Sequence, residues 1–360
     1  MSKVYILGAG ASRFAGFPLG ADLWPFLEAE EDSNCVQLIN DVQTCWPFVK
    51  KVHCLLEKHR HPDLEMILTI ADLAIVSGGS VGSIDLSEFD IPEAKKAFAR
   101  LVSSAFVGHA VKLRNKRDAE IQRVMQAWGK LVKEGDTVIT FNWDPLHEMA
   151  LWDASDDKWH YSSGYGFRPR NVEGGQVVPS NVKVLKLHGS ANWGLRGRRD
   201  HEPPEVDYIS HLFPEVGHLP GSSGSSDFGE SLILPSYFKA PTEEPVLVEI
   251  WKQAASALRS ADEVVILGYS LPEADSPTRT LLSVALSGND KLKNPKLEKP
   301  VQVVAGPQHG LGSAHDRWDR FFSALGSREK VCMVHENFEK FVLSRRAKSL
   351  AHSQPDRKRQ

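Results

Sequence analysis

Val4-Tyr5-Ile6-Leu7 is a short apolar run that stops at Gly8-Ala9-Gly10-Ala11-Ser12, the order expected where a buried parallel strand turns tightly into a helix. The next hundred residues change period. Segments 21–29, 48–59, 64–76, 92–113 and 121–132 carry apolar residues at helical spacing, with a Gly/Ser break over 77–83. So helical a block is too long for one crossover between neighbouring strands, and it predicts a helical subdomain inserted after the first strand. Strand patterns return at 137–141, 182–187, 263–267 and 301–304, alternating with predicted helices over 145–152, 245–259, 277–286 and 314–325. The first three of these helices open on a proline near the first turn, with Asp144 and Ser276 at N-cap positions of the first and third. The expected fold class is α/β: a Rossmann-like, doubly wound parallel sheet with a helical insertion after the first strand. On this reading residues 1–20 hold the first strand and a phosphate loop, 21–133 the helical insertion, 134–343 the remainder of the sheet domain, and 344–360 a basic, disordered tail. The Gly-, Ser- and Pro-rich stretch 203–229 reads as a mobile surface loop near the site.

Composition narrows the class. A chain of 360 residues, 41% hydrophobic and 25% charged, can bury a substantial core and is no disordered segment. Its formal net charge of -3 offers no global basic field, so sequence-specific nucleic-acid binding is not expected. Cys35, Cys45, Cys54 and Cys332 never form C-x-x-C and are too few for a disulfide scaffold, which predicts a reducing compartment and excludes a cysteine-rich zinc module. His53, His59 and His61 do not share a helical face, so no metal site is expected there. With no apolar run of membrane-spanning length and no signal-peptide pattern, the expected location is cytoplasmic, without membrane contact.

Four strand ends carry the candidate chemistry. Gly8-x-Gly10 would let a backbone approach a pyrophosphate, with Arg13 as an added clamp, although a glycine turn with no ligand reads equally simply. A hydride-transfer dehydrogenase is disfavoured, because Arg13 stands where its fingerprint needs a small residue and no acid ends a second strand about 20 residues on. Thr140-Phe141-Asn142-Trp143-Asp144 sets two polar side chains at the carboxyl end of a strand, where open α/β sheets bind ligands; the alternative is that they cap the helix that follows. His188 in Leu187-His188-Gly189-Ser190 is a general-base candidate, against the plainer reading of a structural histidine. Gly268-Tyr269-Ser270-Leu271-Pro272 has half of a hydrolase nucleophile elbow, but Pro272 replaces the second glycine.

In this order the four motifs resemble the sirtuin family, and more closely the bacterial sirtuin-like NAD-consuming proteins of antiphage defence. The 8–12 turn with Gly16-Phe17-Pro18 looks like the family's phosphate loop, 140–144 like its T-Q-N-x-D motif, His188-Gly189 like its catalytic HG, and 268–270 like the turn near adenosine. Two departures matter. Leu19-Gly20-Ala21 replaces the deacylases' Asp-Phe-Arg, and no cysteine occurs from 190 to 238, where their two C-x-x-C pairs would lie. The resemblance therefore implies NAD as substrate without a metal, and cleavage of the nicotinamide–ribose bond rather than protein deacylation. It implies Asn142, His188 and Asp144 as catalytic, and Gly8, Ala9, Gly10, Ala11, Ser12, Arg13, Gly268, Tyr269 and Ser270 as cofactor-binding. A non-catalytic module binding NAD or ADP-ribose is the alternative it leaves open. The same resemblance implies a homo-oligomer, and a separately encoded defence partner such as an Argonaute-like protein or a helicase-like ATPase.

Overall fold

The computed structural model describes residues 1–29, 36–56, 64–154, 158–169, 177–195, 206–208, 227–228, 245–273, 275–287, 299–306, 313–326 and 328–352. Six parallel strands form the main sheet: β1 (Lys3–Leu7), β2 (Thr137–Thr140), β3 (Lys183–Lys186), β4 (Glu263–Leu267), β5 (Val301–Ala305) and β6 (Val331–His335). Their spatial order is β6-β5-β4-β1-β2-β3. Numbered along the chain this is 3-2-1-4-5-6, the doubly wound order of Rossmann-like sheets. β1 sits at the centre, with Val4 level with Thr137 on one side and Val264 on the other, and Leu7 level with Thr140 and Leu267. Because strand order reverses between β1 and β4, the chain leaves their carboxyl ends in opposite directions and opens a crevice there.

Eleven helices are described: α1 (Leu23–Ala29), α2 (Val36–Leu56), α3 (Leu64–Val76), α4 (Ile91–Lys116), α5 (Ala119–Leu131), α6 (Leu146–Trp152), α7 (Tyr161–Gly164), α8 (Pro245–Ser260), α9 (Ser276–Leu286), α10 (Ala314–Ala324) and α11 (Phe338–His352). The first five lie between β1 and β2. α4 starts where Asp90 accepts the Glu93 N–H at 3.1 Å, and α5 where Asp118 accepts from Glu120 and Ile121, each cap contributing about 1 kcal/mol. Phe48, Val49 and Val52 of α2, Ile67, Ala71 and Ala74 of α3, and Ile91 and Ala94 of α4 form a small core of their own, while the rest of α4 joins the main core. α5 packs against α6 and α11 on the face to which Tyr5 points, with Trp128 meeting the Tyr5 ring edge-on at 5.3 Å. α8 packs against α9 and β3.

Several expectations shift. α2 begins at Val36 rather than at 48 and passes through Pro47, which cannot donate a backbone hydrogen bond. Its neighbour Trp46 stacks on Trp24 at 4.3 Å, so packing holds the helix where one backbone donor is missing. The strand β6 had no counterpart in the sequence pattern. It is an edge strand with only Val331 buried, so it lacks the continuous apolar signature of the inner strands. Asp275, not Ser276, stands at the N-cap of α9. The basic segment expected as a tail from 344 starts as helix, because α11 runs to His352 with Val342 buried and the Arg345 guanidinium over the Phe341 ring; 353–360 lie outside the described residues. Of the stretch 203–229, only Val206–Tyr208 and Asp227–Phe228 are described, both pairing antiparallel with Trp193–Leu195. Another antiparallel pair, Ser80–Val81 with Ile84–Asp85, occupies the Gly/Ser break. Among the described residues no helix is long and apolar enough to cross a membrane.

Candidate active site

At the crevice the turns after β1 and β4 press backbone on backbone. Gly10 N–H donates to the Gly268 carbonyl at 3.0 Å and Gly8 N–H to that of Leu267 at 3.1 Å. A Cβ on Gly8 would lie 2.6 Å from the Tyr269 Cα, and one on Gly10 2.8 Å from the Gly268 oxygen. Gly268 is the tightest point: its φ is +62°, and a Cβ there would meet the Ala11 nitrogen at 2.3 Å. These glycines are therefore required by the contact of two turns rather than by a ligand's approach. The backbone donors follow the same logic. The N–H groups of Gly8, Gly10, Ala11 and Ser12 all donate inside the chain, the last two to Gly8 and Ala9 across a 3₁₀ turn (Ala9–Ala11) where an α-helix start was expected. Ala9 and Arg13 are the exposed residues of this loop.

The next layer is polar and buried. Asn142, 6% exposed, donates its amide Nδ2 to the Gly8 carbonyl and to Ser12 Oγ, each at 3.0 Å. Two donors spent on two acceptors fix which way the amide faces, and its Oδ1 is left buried without a hydrogen-bond partner. Ser12 Oγ also lies 3.3 Å from His147 Nε2, and its hydroxyl is near enough to the Asp144 carboxyl to favour the ionised form. Asp144 accepts the Leu146 N–H at 3.1 Å as well, but Pro145, not Asp144 as expected, stands at the N-cap of α6. Burial holds the Asp144 carboxyl above its ordinary range, with Lys186 pulling the other way. Lys186 ends β3 with no solvent exposure; its Nζ donates to the Asp144 carbonyl and to Glu148 Oε1, both at 2.7 Å. Breaking so deep an ion pair from one side costs about 3–5 kcal/mol. Burial likewise pushes the Glu148 carboxyl up against Lys186, and takes His147 down to about 3, leaving it neutral.

His188 belongs to a different layer. It follows β3 at the mouth of the crevice, 9% exposed, its ring 5.1 Å from that of Phe141. Phe141 in turn stacks on Tyr269 at 4.4 Å, so an aromatic row connects the ends of β3, β2 and β4. The Tyr269 side chain points inward, to the Asp275 carboxylate, and burial with that neighbour pushes its phenol far above the ordinary range. Arg317 Nε holds the Ser270 carbonyl at 2.7 Å and Trp318 Nε1 that of Tyr269 at 2.8 Å. Leu271, a non-glycine with φ +52°, is kept in this strained conformation partly by Arg279, which donates to its carbonyl at 2.8 Å.

The structure thus joins Ser12 and Asn142 directly, sets Asp144 near Ser12, brings the 8–13 and 268–270 turns into contact, and sets His188 across the Phe141 ring from Tyr269. Sequence reasoning did not single out His147, Lys186, Glu148 or Asp275. A lysine inside the apolar strand Val184-Leu185-Lys186-Leu187 was the available signal for one of them, since an unpaired charge is not buried there without a partner. Among the described residues no cluster of three or more metal-capable side chains is present.

No protein-family model matches the chain, and no curated protein matches it. Similar solved structures are Sir2 proteins: one described under the mechanism and regulation of Sir2 enzymes (15% identity, 97% of this chain and 93% of that one, TM-score 0.42), one bound to a deacetylated peptide and 3'-O-acetyl ADP-ribose (13%, 97% and 93%, 0.39), and a Sir2 homologue bound to ADP-ribose (14%, 98% and 95%, 0.36). These likenesses are too loose to carry an argument. The fold rests on the strand order itself.

Proposed function

We propose that this chain is a NAD glycohydrolase that converts NAD and water to nicotinamide, ADP-ribose and a proton. The observation that carries the reading is the Asn142 amide, locked by Gly8 and Ser12 so that it offers a buried, unpartnered acceptor beside the crevice. An acceptor so placed suits an O–H group, that of a ribose hydroxyl or of an attacking water. When the C–N bond breaks, its electron pair goes to the nicotinamide ring nitrogen, which is cationic beforehand and needs no acid. The ribose is left with oxocarbenium character, water adds at that carbon, and the displaced proton goes to His188. Such a reaction asks the protein mainly for positioning and charge stabilisation, which a rigid polar layer supplies. Asp144, buried against Ser12, would act through Ser12 on Asn142 rather than on the substrate. With the neighbouring N–H groups spent, the pyrophosphate would meet the exposed Ala9 N–H and the Arg13 side chain, and the adenosine would lie along the 268–270 turn.

The resemblance set out above supports the wider reading: a NAD-depleting effector of bacterial antiphage defence, restrained by self-assembly or by a separately encoded partner. The test is chromatography of NAD incubated with the full chain, alone and in the assembly it forms in the cell. Equal amounts of nicotinamide and ADP-ribose are expected, and loss of both with Asn142→Ala. NAD bound and recovered intact would make the chain a regulatory binding module instead.

A further inference from the structure

The Asp275 carboxylate is 2% exposed and has a defined geometry: the Tyr269 hydroxyl donates to Oδ2, and Thr278 Oγ1 donates to Oδ1 at 2.8 Å. Its backbone is pinned too, with its N–H on the Pro272 carbonyl and its own carbonyl accepting from Arg279. Two hydroxyl donors favour the ionised form, and a cation nearby stabilises a buried carboxylate further. Among the described residues two groups able to carry positive charge are near. Arg279, on the first turn of α9, turns its guanidinium to the carbonyls of Pro272 and Leu271. The other is His188, whose Nε2 lies 3.9 Å from Asp275 Oδ1 across the mouth of the crevice.

We infer that Asp275 is a positioning residue: it pairs with His188 and anchors the imidazole of the β3 end to the loop that follows β4. The pair spans the sheet, since β3 and β4 are separated by β2 and β1. Phe141 and Tyr269 form its floor, because Phe141 contacts both His188 and Tyr269, and Tyr269 holds Asp275. Opposite charge at this distance favours the imidazolium and makes His188 the stronger base. Among the described residues, the groups facing the pair are Tyr269 from the 268–272 loop, and Thr278 and Arg279 from α9. On its own strand Lys186 is spent on Asp144 and Glu148. The inference deepens the glycohydrolase reading, but the pairing itself does not depend on any turnover.

The experiment follows the His188 ring resonance of the full chain by NMR across pH, assigned with His188→Gln, in the wild type and in Asp275→Asn. The His188 midpoint is expected to fall by about one unit or more in Asp275→Asn, the scale of a lost ionic neighbour. The acid limb of nicotinamide release should move down by the same amount, and Asp275→Glu should restore part of both shifts. A change of less than half a unit overturns the pairing. Should Asp275→Asn fail to fold, the wild-type midpoint decides alone: a value at or above the free imidazole, ~6.5, supports the pair, and one below it refutes it. Absence of nicotinamide release from the wild type would count against the glycohydrolase reading and leave the NMR result to judge the pairing.

Discussion

His147, beside Ser12, and His188, beside Phe141, show how differently one fold can treat one side chain. His147 is sealed on α6 among Trp128, Phe338 and Ser12, with Lys186 near enough to repel a positive charge, and it stays neutral far into acid. His188 sits at the mouth of the crevice against an aromatic ring, with a carboxylate facing its Nε2. Burial beside a cation makes an imidazole a fixed hydrogen-bonding group. A rim position beside an anion makes it a base. On the proposed function, the polar layer around His147 belongs to the stability of the site, and the surroundings of His188 to its chemistry.

The largest expected effect lies in the sealed layer. Lys186→Met leaves Glu148 without its counter-ion and should cost about 3–5 kcal/mol in denaturant unfolding; a loss below about 1 kcal/mol would mean the pair is not buried as described. Asn142→Asp comes next: it replaces the Nδ2 donor with an acceptor facing the Gly8 carbonyl and Ser12, so nicotinamide release should drop at least ~10²-fold, the scale for one oriented catalytic group. For His147 the prediction concerns stability against pH. Its folded value, about 3, is below that of the unfolded imidazole, ~6.5, so on acidification the unfolded chain takes up a proton that the folded chain does not. Any stability advantage of wild type over His147→Gln should shrink from pH 6.5 downwards by about 1.4 kcal/mol per pH unit, and a pH-independent difference would show that His147 titrates normally. The smallest effect is at the exposed Arg13, where Arg13→Ala should raise KM a few fold, more at low salt than at high, with kcat unchanged. If chelation with EDTA abolished turnover, the metal-free reading of both layers would fall.

The inner strands β1, β2, β4 and β5 were legible because they are largely buried and read as near-continuous apolar runs, and so does the edge strand β3, buried from Val184 onward. β6, at the other edge, was hidden because only Val331 of its residues is buried. The turns at 8–12 and 268–270 were legible as glycine turns, but their mutual contact was not: it joins residues some 260 positions apart, and nothing local in Gly8 or Gly268 names its partner. The same holds for the polar layer. Asn142 stood out at a strand end, whereas Lys186, Glu148 and His147 acquire meaning only once β3 and α6 are laid beside each other. Asp275 was one position from the residue expected to cap α9, and its proximity to His188 follows from strand order, which the sequence does not spell out.

The most direct test of the division between a sealed polar layer and a reactive rim is a paired measurement on His188→Ala: NAD affinity by calorimetry and nicotinamide release, on protein shown by circular dichroism to be folded. On the proposed binding mode the 8–13 and 268–270 turns would meet groups that do not react and carry most of the affinity, so binding should stay within a few fold of wild type. Release should fall ~10²–10⁴-fold, the usual loss on removing a general base. Release near the wild-type rate would take His188 out of the chemistry and contradict the account.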